Sequence, residues 1–217
     1  MQRLAVMACV LFGCASPAWA AKVDVHLTDG HGHGVDDAVI TLTPDGTVDR
    51  AANAPPPATH VVDQKDEVFI PYVQVMRPGD KVVFRNSDST RHHVYSFSKV
   101  KAFEFVLSPG ESSPAMTVVN TGIAAVGCNI HDHMITYLFV SDAPAIAMST
   151  HGGMATLDHL AAGRYTMHIW HPQLHPGKSE TTRAVIIASD VDVQHVAIDL
   201  SLIPDPRMFM DREHLDY

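Results

Sequence analysis

Lys81-Val82-Val83-Phe84-Arg85-Asn86, the polar hinge Ser87-Asp88-Ser89-Thr90, and Arg91-His92-His93-Val94-Tyr95-Ser96-Phe97 form the stretch that decides the fold. β-Branched and aromatic residues alternate with polar ones, the period of two that sends successive side chains to opposite faces of a strand. Pro78-Gly79-Asp80 supplies the turn before it. The same pattern continues on both sides. Val68 to Val73 is extended, Phe105-Val106-Leu107 runs into Pro109-Gly110-Glu111, and Thr117-Val118-Val119 runs into Asn120-Thr121-Gly122. Ile123 to Gly127 leads to Cys128, and Ile135 to Val140 is a strongly apolar strand. Helical periodicity is nearly absent. Short strands bounded by turns predict an all-β chain, with two sheets sharing a core over residues 61–143.

The flanks carry the same signature. Val23-Asp24-Val25-His26-Leu27 alternates before the turn at Asp29-Gly30, and Ala38 to Thr43 is a strand ended by Pro44-Asp45-Gly46. Residues 47–60 are rich in Ala and Pro and read as a linker or surface crossing. Beyond 144, Ala155-Thr156-Leu157, Tyr165 to Trp170, Arg183 to Ala188 and Val193 to Leu200 are further strands, and 204–217 is a polar tail. Two N-terminal strands bury too little to stand alone. Residues 22–46 and 145–203 are therefore expected to be two parts of one small β-sandwich, interrupted by 61–143; an extended N-terminal arm is the alternative.

Chemistry concentrates in Cys128-Asn129-Ile130-His131-Asp132-His133-Met134. Seven residues present a thiolate, an imidazole and a thioether. The thioether is a soft, neutral ligand that copper accepts as a weak axial contact and that zinc has little use for. Strong thiolate and imidazole donors with that weak sulfur suit both Cu(II) and Cu(I), so a single electron moves with little rearrangement. A heptapeptide cannot surround an ion, and His92-His93 is the candidate supplier of the fourth ligand. Alternation lets only one of the pair reach it, and spacing does not choose which. Zinc held by Cys128, His131 and His133 or Asp132 is the competing metal site. Cys128, His131 and Met134 as a buried thiol, a loop histidine and a core residue is the bland reading.

Gly79 to Asn86, His92-His93-Val94-Tyr95 and the Cys128-x-x-His131-x-x-Met134 loop together resemble a cupredoxin, with the ligand loop of the amicyanins. The resemblance covers roughly 61–143. It implies a Greek-key β-sandwich, one copper ion cycling between Cu(I) and Cu(II), and the ligands His92, Cys128, His131 and Met134. His93 falls where that family has a loop-tying asparagine, and Ala124 to Gly127 lacks the aromatic residues common before the cysteine. His-His-Val-Tyr-Ser-Phe-Ser and Gly-Cys-Asn-Ile-His-Asp also resemble secreted cupredoxin-like proteins described as methylamine-utilisation-like. The flanking segments resemble carboxypeptidase-regulatory-like or Cna-B-like sandwiches. His168, Trp170, His171 and His175 lack the acids or repeated spacing of a second metal site, so Trp170-His171-Pro172 reads as a core or interdomain contact. Asp132 is expected to hydrogen-bond within the ligand loop, and His133 to stay exposed.

The first twenty residues read as a signal peptide. Arg3 precedes the apolar run Leu4 to Phe12, and Ala18-Trp19-Ala20 offers a cleavage site, which implies a periplasmic or secreted chain starting near Ala21. Leu11-Phe12-Gly13-Cys14 offers a weaker lipidation alternative. Cleavage leaves Cys128 as the sole cysteine, which excludes disulfide scaffolds, cysteine-only zinc or iron–sulfur sites and a binuclear copper centre with bridging thiolates. No later stretch has the length of a transmembrane span. Net charge is −9 with no basic tract, so nucleic acid is a poor partner. One copper with four protein ligands and no neighbouring acid–base pair points to an electron carrier rather than an enzyme, serving a redox-protein donor and acceptor. Copper delivery without redox traffic, a multicopper enzyme such as a nitrite reductase, and an interaction module with a structural metal are the alternatives.

Overall fold

The computed structural model of the chain describes residues 21–46, 55–175, 177, 180–188 and 193–205. The expected leader, with Cys9 and Cys14, lies outside those residues, as do 206–217 of the expected tail. The described residues form strands and no helix. In chain order the strands are β1 (Ala21–Asp29), β2 (Val39–Pro44), β3 (Thr59–Lys65), β4 (Val68–Ile70), β5 (Val73–Met76), β6 (Lys81–Asn86), β7 (His92–Ser96) and β8 (Phe103–Leu107). Then follow β9 (Met116–Thr117), β10 (Gly122–Cys128), β11 (Ile135–Val140), β12 (Ala145–Met148), β13 (Met154–Leu160), β14 (Gly163–Trp170), β15 (Thr181–Ile187) and β16 (Val193–Leu200). None of these elements is a helix long and apolar enough to cross a membrane.

The middle of the chain builds one sandwich from a five-stranded sheet, β5-β11-β10-β7-β8, and a four-stranded one, β4-β3-β6-β9. The chain changes sheet between β4 and β5, β5 and β6, β6 and β7, β8 and β9, and β9 and β10, which is Greek-key wiring. Alternation decides what points inward. On β6, Val82, Phe84 and Asn86 are buried; on β7, His92, Val94 and Ser96; on β10, Ala124, Val126 and Cys128. Their apolar members join Val62, Leu107, Met134 and Leu138 in one core.

The second sandwich draws on both ends of the described chain. Its sheets are β13-β1-β16 and β12-β2-β14-β15. Strand β1 is central, antiparallel to β13 and parallel to β16, while β2 lies between β12 and β14. Val23, Val25 and Leu27 from β1 and Ile40 and Leu42 from β2 are fully buried against Leu157, Met167, Ile169 and Leu200. Each such side chain contributes about 1.5–3 kcal/mol, and the cluster that buries them draws on both halves. The expected architecture, an all-β chain with a cupredoxin-like sandwich and a second small one, describes the structure.

Strand β11 explains its own unusual hydrophobicity. Thr136, Leu138 and Val140 face the first core, whereas Ile135, Tyr137 and Phe139 face the second sandwich. There they meet Val39, Trp170 and Leu174 in a third cluster, together with Tyr72 and Val73. Tyr137 lies edge-on to Tyr72 at 5.6 Å and to Trp170 at 5.5 Å. A strand covered on both faces needs apolar residues at every position. This contact covers the β5–β11 side of the five-stranded sheet and leaves the connection from β10 to β11 at its own end.

Candidate metal centre

Cys128 is the last residue of β10 and His92 the first of β7, and the register sets Cys128 opposite Val94. Because His92 and Val94 share the inner face, His92 stands one inward position beyond the cysteine at the same end of the sheet. His93 points the other way. Its Nε2 lies 2.6 Å from Glu104 Oε1, and its carbonyl accepts the Asn129 N–H at 2.9 Å. His93 thus ties down the loop at the position where the resemblance implied an asparagine, and the structure turns His92 toward the cysteine.

The connection from β10 to β11 folds back on itself. Met134 N–H donates to the His131 carbonyl at 3.1 Å, and Cys128 N–H donates to the Met134 carbonyl at 3.3 Å. This brings His131 beside the cysteine and buries the Met134 side chain, 2% exposed, in the same core. Cys128 Sγ is 3.7 Å from His92 Nδ1 and 3.7 Å from His131 Nδ1. The three donor atoms lie within 4.8 Å of one another, the only such group of His, Cys, Asp and Glu among the described residues. Metal–sulfur and metal–imidazole bonds of about 2.3 and 2.0 Å, opened to an angle between tetrahedral and trigonal, separate the donors by about 3.6–3.8 Å. The residues present fit one ion.

Charge is arranged to suit such an ion. Burial pushes the Cys128 thiol up, but His92 and the backbone N–H groups at His93, Ile130 and His131 outweigh it and bring the pKa down to about 6. Burial disfavours the charged form of His92, yet Cys128 and then Asp88 raise its pKa above the ordinary value. The metal-free protein is therefore poised toward a thiolate beside an imidazolium, so the sulfur is ready to ligate and a bound ion would displace the proton from His92.

Two acidic residues that sequence reasoning did not single out touch the imidazoles from behind. Asp88 Oδ2 is 2.7 Å from His92 Nε2, and Glu67 Oε1 is 3.7 Å from His131 Nε2. Asp88 sits four residues before His92 in the polar hinge, and that spacing was the available signal. Asp132, expected to bond within the loop, is exposed, and its carboxylate has no hydrogen bond among the described residues. His133 is partly exposed with its ring 6.1 Å from that of His131. His168 pairs with Glu180 at 2.9 Å, and it joins no metal-binding group with His171 or His175.

No protein-family model matches the chain, and no curated protein matches it. Among solved structures it is similar to a reduced Cu(I) form of an amicyanin variant at pH 4, with 20% identity, 49% of this chain and 100% of that one covered, and a TM-score of 0.35. A purple cupredoxin from Nitrosopumilus maritimus is similar at 18% identity, covering 39% of this chain and 99% of that one, TM-score 0.34. The copper-containing nitrite reductase of Thermus scotoductus SA-01 shares 26% identity over 46% of this chain, TM-score 0.34, and the similarity spans 25% of the reductase.

Proposed function

We propose that this chain is a one-electron transfer protein with a mononuclear type 1 copper centre, ligated by His92, Cys128, His131 and Met134. The observation that carries this reading is the equal 3.7 Å spacing of the Cys128 sulfur from the His92 and His131 Nδ1 atoms, with the Met134 thioether buried in the adjoining core. Copper bound there would take up or release one electron between Cu(I) and Cu(II). The chain supplies the rest. Strands β7 and β10 fix His92 and Cys128 on rigid backbone, and burial of Cys128, His92 and Met134 keeps water from the site. His131 remains partly open, its side chain 17% exposed, which gives a redox-protein donor or acceptor a short approach.

The setting proposed for this activity is the periplasm or the exterior, after cleavage near Ala20. The copper domain, 61–143, is read as an insertion between 22–46 and 145–203. Pairing of β1 with β13 and β16, and of β2 with β12 and β14, supports that reading.

Copper loading followed by visible spectroscopy tests the function. The expected result is an intense thiolate-to-Cu(II) charge-transfer band with one copper per chain, reversible voltammetry, and loss of the band in Cys128→Ser. A copper-bound protein without that band would replace this reading with copper delivery, and preferential zinc binding would replace it with a structural site.

A further inference from the structure

The connection from β3 to β4 is two residues long, because Lys65 pairs with Val68. Both residues are left-handed, Asp66 at φ 54° and Glu67 at φ 58°. A two-residue hairpin of this shape favours Asn-Gly, since glycine enters the left-handed region freely and short Asn or Asp side chains enter it tolerably. Asp66 fits that rule. Glu67 does not, and its backbone costs about 1–2 kcal/mol relative to a relaxed residue.

What the turn touches accounts for the exception. Asp88 Oδ1 accepts the Asp66 N–H, and Asp88 Oδ2 accepts the Glu67 N–H at 3.1 Å while also meeting His92 Nε2. Asn86, fully buried, fixes Asp88 in turn. Its Oδ1 accepts the Asp88 N–H at 2.9 Å, and its Nδ2 donates to the carbonyls of Thr90 and Leu107. From the far side of the turn the Glu67 carboxylate reaches His131 Nε2. One carboxylate and one strained turn therefore join the distal nitrogens of both imidazoles.

We propose that Asp88 and Glu67 are positioning residues, coupled through the β3–β4 turn, that orient His92 and His131 with their Nδ1 atoms toward Cys128. An imidazole that donates Nε2–H to a carboxylate has its Nδ1 lone pair free for a metal, and partners of this kind change metal affinity by about 10–100-fold. Asp88, at 2.7 Å, performs this for the buried ring, while Glu67, at 3.7 Å and beyond hydrogen-bond distance, favours the same orientation of the outward ring by its charge. The inference rests on reading the site as a metal centre.

Glu67→Gly is the informative variant. It relieves the left-handed strain while deleting the carboxylate, so stability and metal affinity should move in opposite directions. The expected result is an unchanged or higher thermal midpoint, copper affinity reduced about tenfold, and an altered Cu(II) electron paramagnetic resonance spectrum. In metal-free protein, at a pH high enough to neutralise the imidazole, long-range proton–nitrogen NMR should show His92 as the single Nε2–H tautomer, and Asp88→Asn should convert it to a mixture. Glu67→Gln, which keeps the side-chain length, should reproduce the affinity loss without the gain in stability. Wild-type copper binding with unchanged affinity and spectrum in Glu67→Gly would overturn this inference alone. A wild-type chain that binds no metal would overturn the metal-centre reading and the inference with it.

Discussion

The indole of Trp170 on β14 lies 5.4 Å from the ring of Phe139 on β11, so a strand from each sandwich meets in one aromatic cluster. Trp170 is 8% exposed and also touches Tyr137. Removing it leaves a cavity between two sheets that cannot collapse without moving a whole sandwich. Trp170→Ala should therefore cost about 3–5 kcal/mol. Calorimetry should show one transition for the wild type and two for the variant as the sandwiches lose their shared core. One unsplit transition at the wild-type temperature would show that the two units do not stabilise each other.

Asp80 makes stability depend on acidity. It is 6% exposed and accepts the Ala58 and Arg77 N–H groups at 2.8 Å, with the His60 ring at 3.0 Å. Burial pushes its carboxyl up, but the Arg77 and Ala58 N–H groups and His60 hold it below the ordinary value of 3.8. A depressed carboxyl stabilises the fold above the unfolded value and loses that contribution as the pH falls through the folded one. Asp80→Asn should cost about 1–3 kcal/mol at neutral pH. Urea midpoints should show the difference from wild type shrinking below about pH 4. A constant difference from pH 3 to pH 7 would mean that the carboxylate charge is irrelevant.

Much of this was legible in sequence because it is local. Alternation along Arg91 to Ser96 sends only one of His92 and His93 inward, the family resemblance points to His92, and the Cys128-x-x-His131-x-x-Met134 spacing marks the loop. What escaped depends on chain segments meeting in space. Glu67 lies 64 positions before His131 and meets it from a left-handed turn, a conformation that Asp66 suits but that a glutamate does not advertise. Adjacency suggested Asp132 as the supporting acid, yet the loop turns that side chain to solvent and the hinge supplies Asp88 instead. The apolar character of Ile135 to Val140 was visible, but its cause, a second sandwich on the outer face, required the position of Trp170.

Gly153 tests whether β1 truly closes the second sandwich. Leu27 N–H donates to the Gly153 carbonyl at 2.8 Å, and a Cβ on Gly153 would lie 2.0 Å from the Leu27 oxygen, at a φ of +85°. Gly153→Ala should prevent folding or cost more than about 3 kcal/mol, because the clash is with backbone on a central strand. Gly152 is the control. Its φ is +84°, but nothing lies within 4 Å of an added Cβ, so Gly152→Ala should cost only about 1 kcal/mol. Soluble yield and thermal midpoint would check both, and equal effects would mean that the close approach to Leu27 is unimportant.

Met134 has a packing role and a proposed ligand role that one substitution can separate. Its side chain is 2% exposed and packs in the core with Cys128, Val126 and Leu138, which any apolar residue of similar volume can do. The proposed axial contact needs its sulfur. Met134→Leu conserves volume and should cost less than about 1.5 kcal/mol, whereas Met134→Ala should cost about 2–5 kcal/mol. If the thioether donates to copper, Met134→Leu removes a donor that favours the more highly charged Cu(II), and the reduction potential should rise while the thiolate band persists. Voltammetry and denaturation on the same two variants give the answer. An unchanged potential in Met134→Leu would leave the sulfur a packing atom and reduce the proposed ligand set to His92, Cys128 and His131.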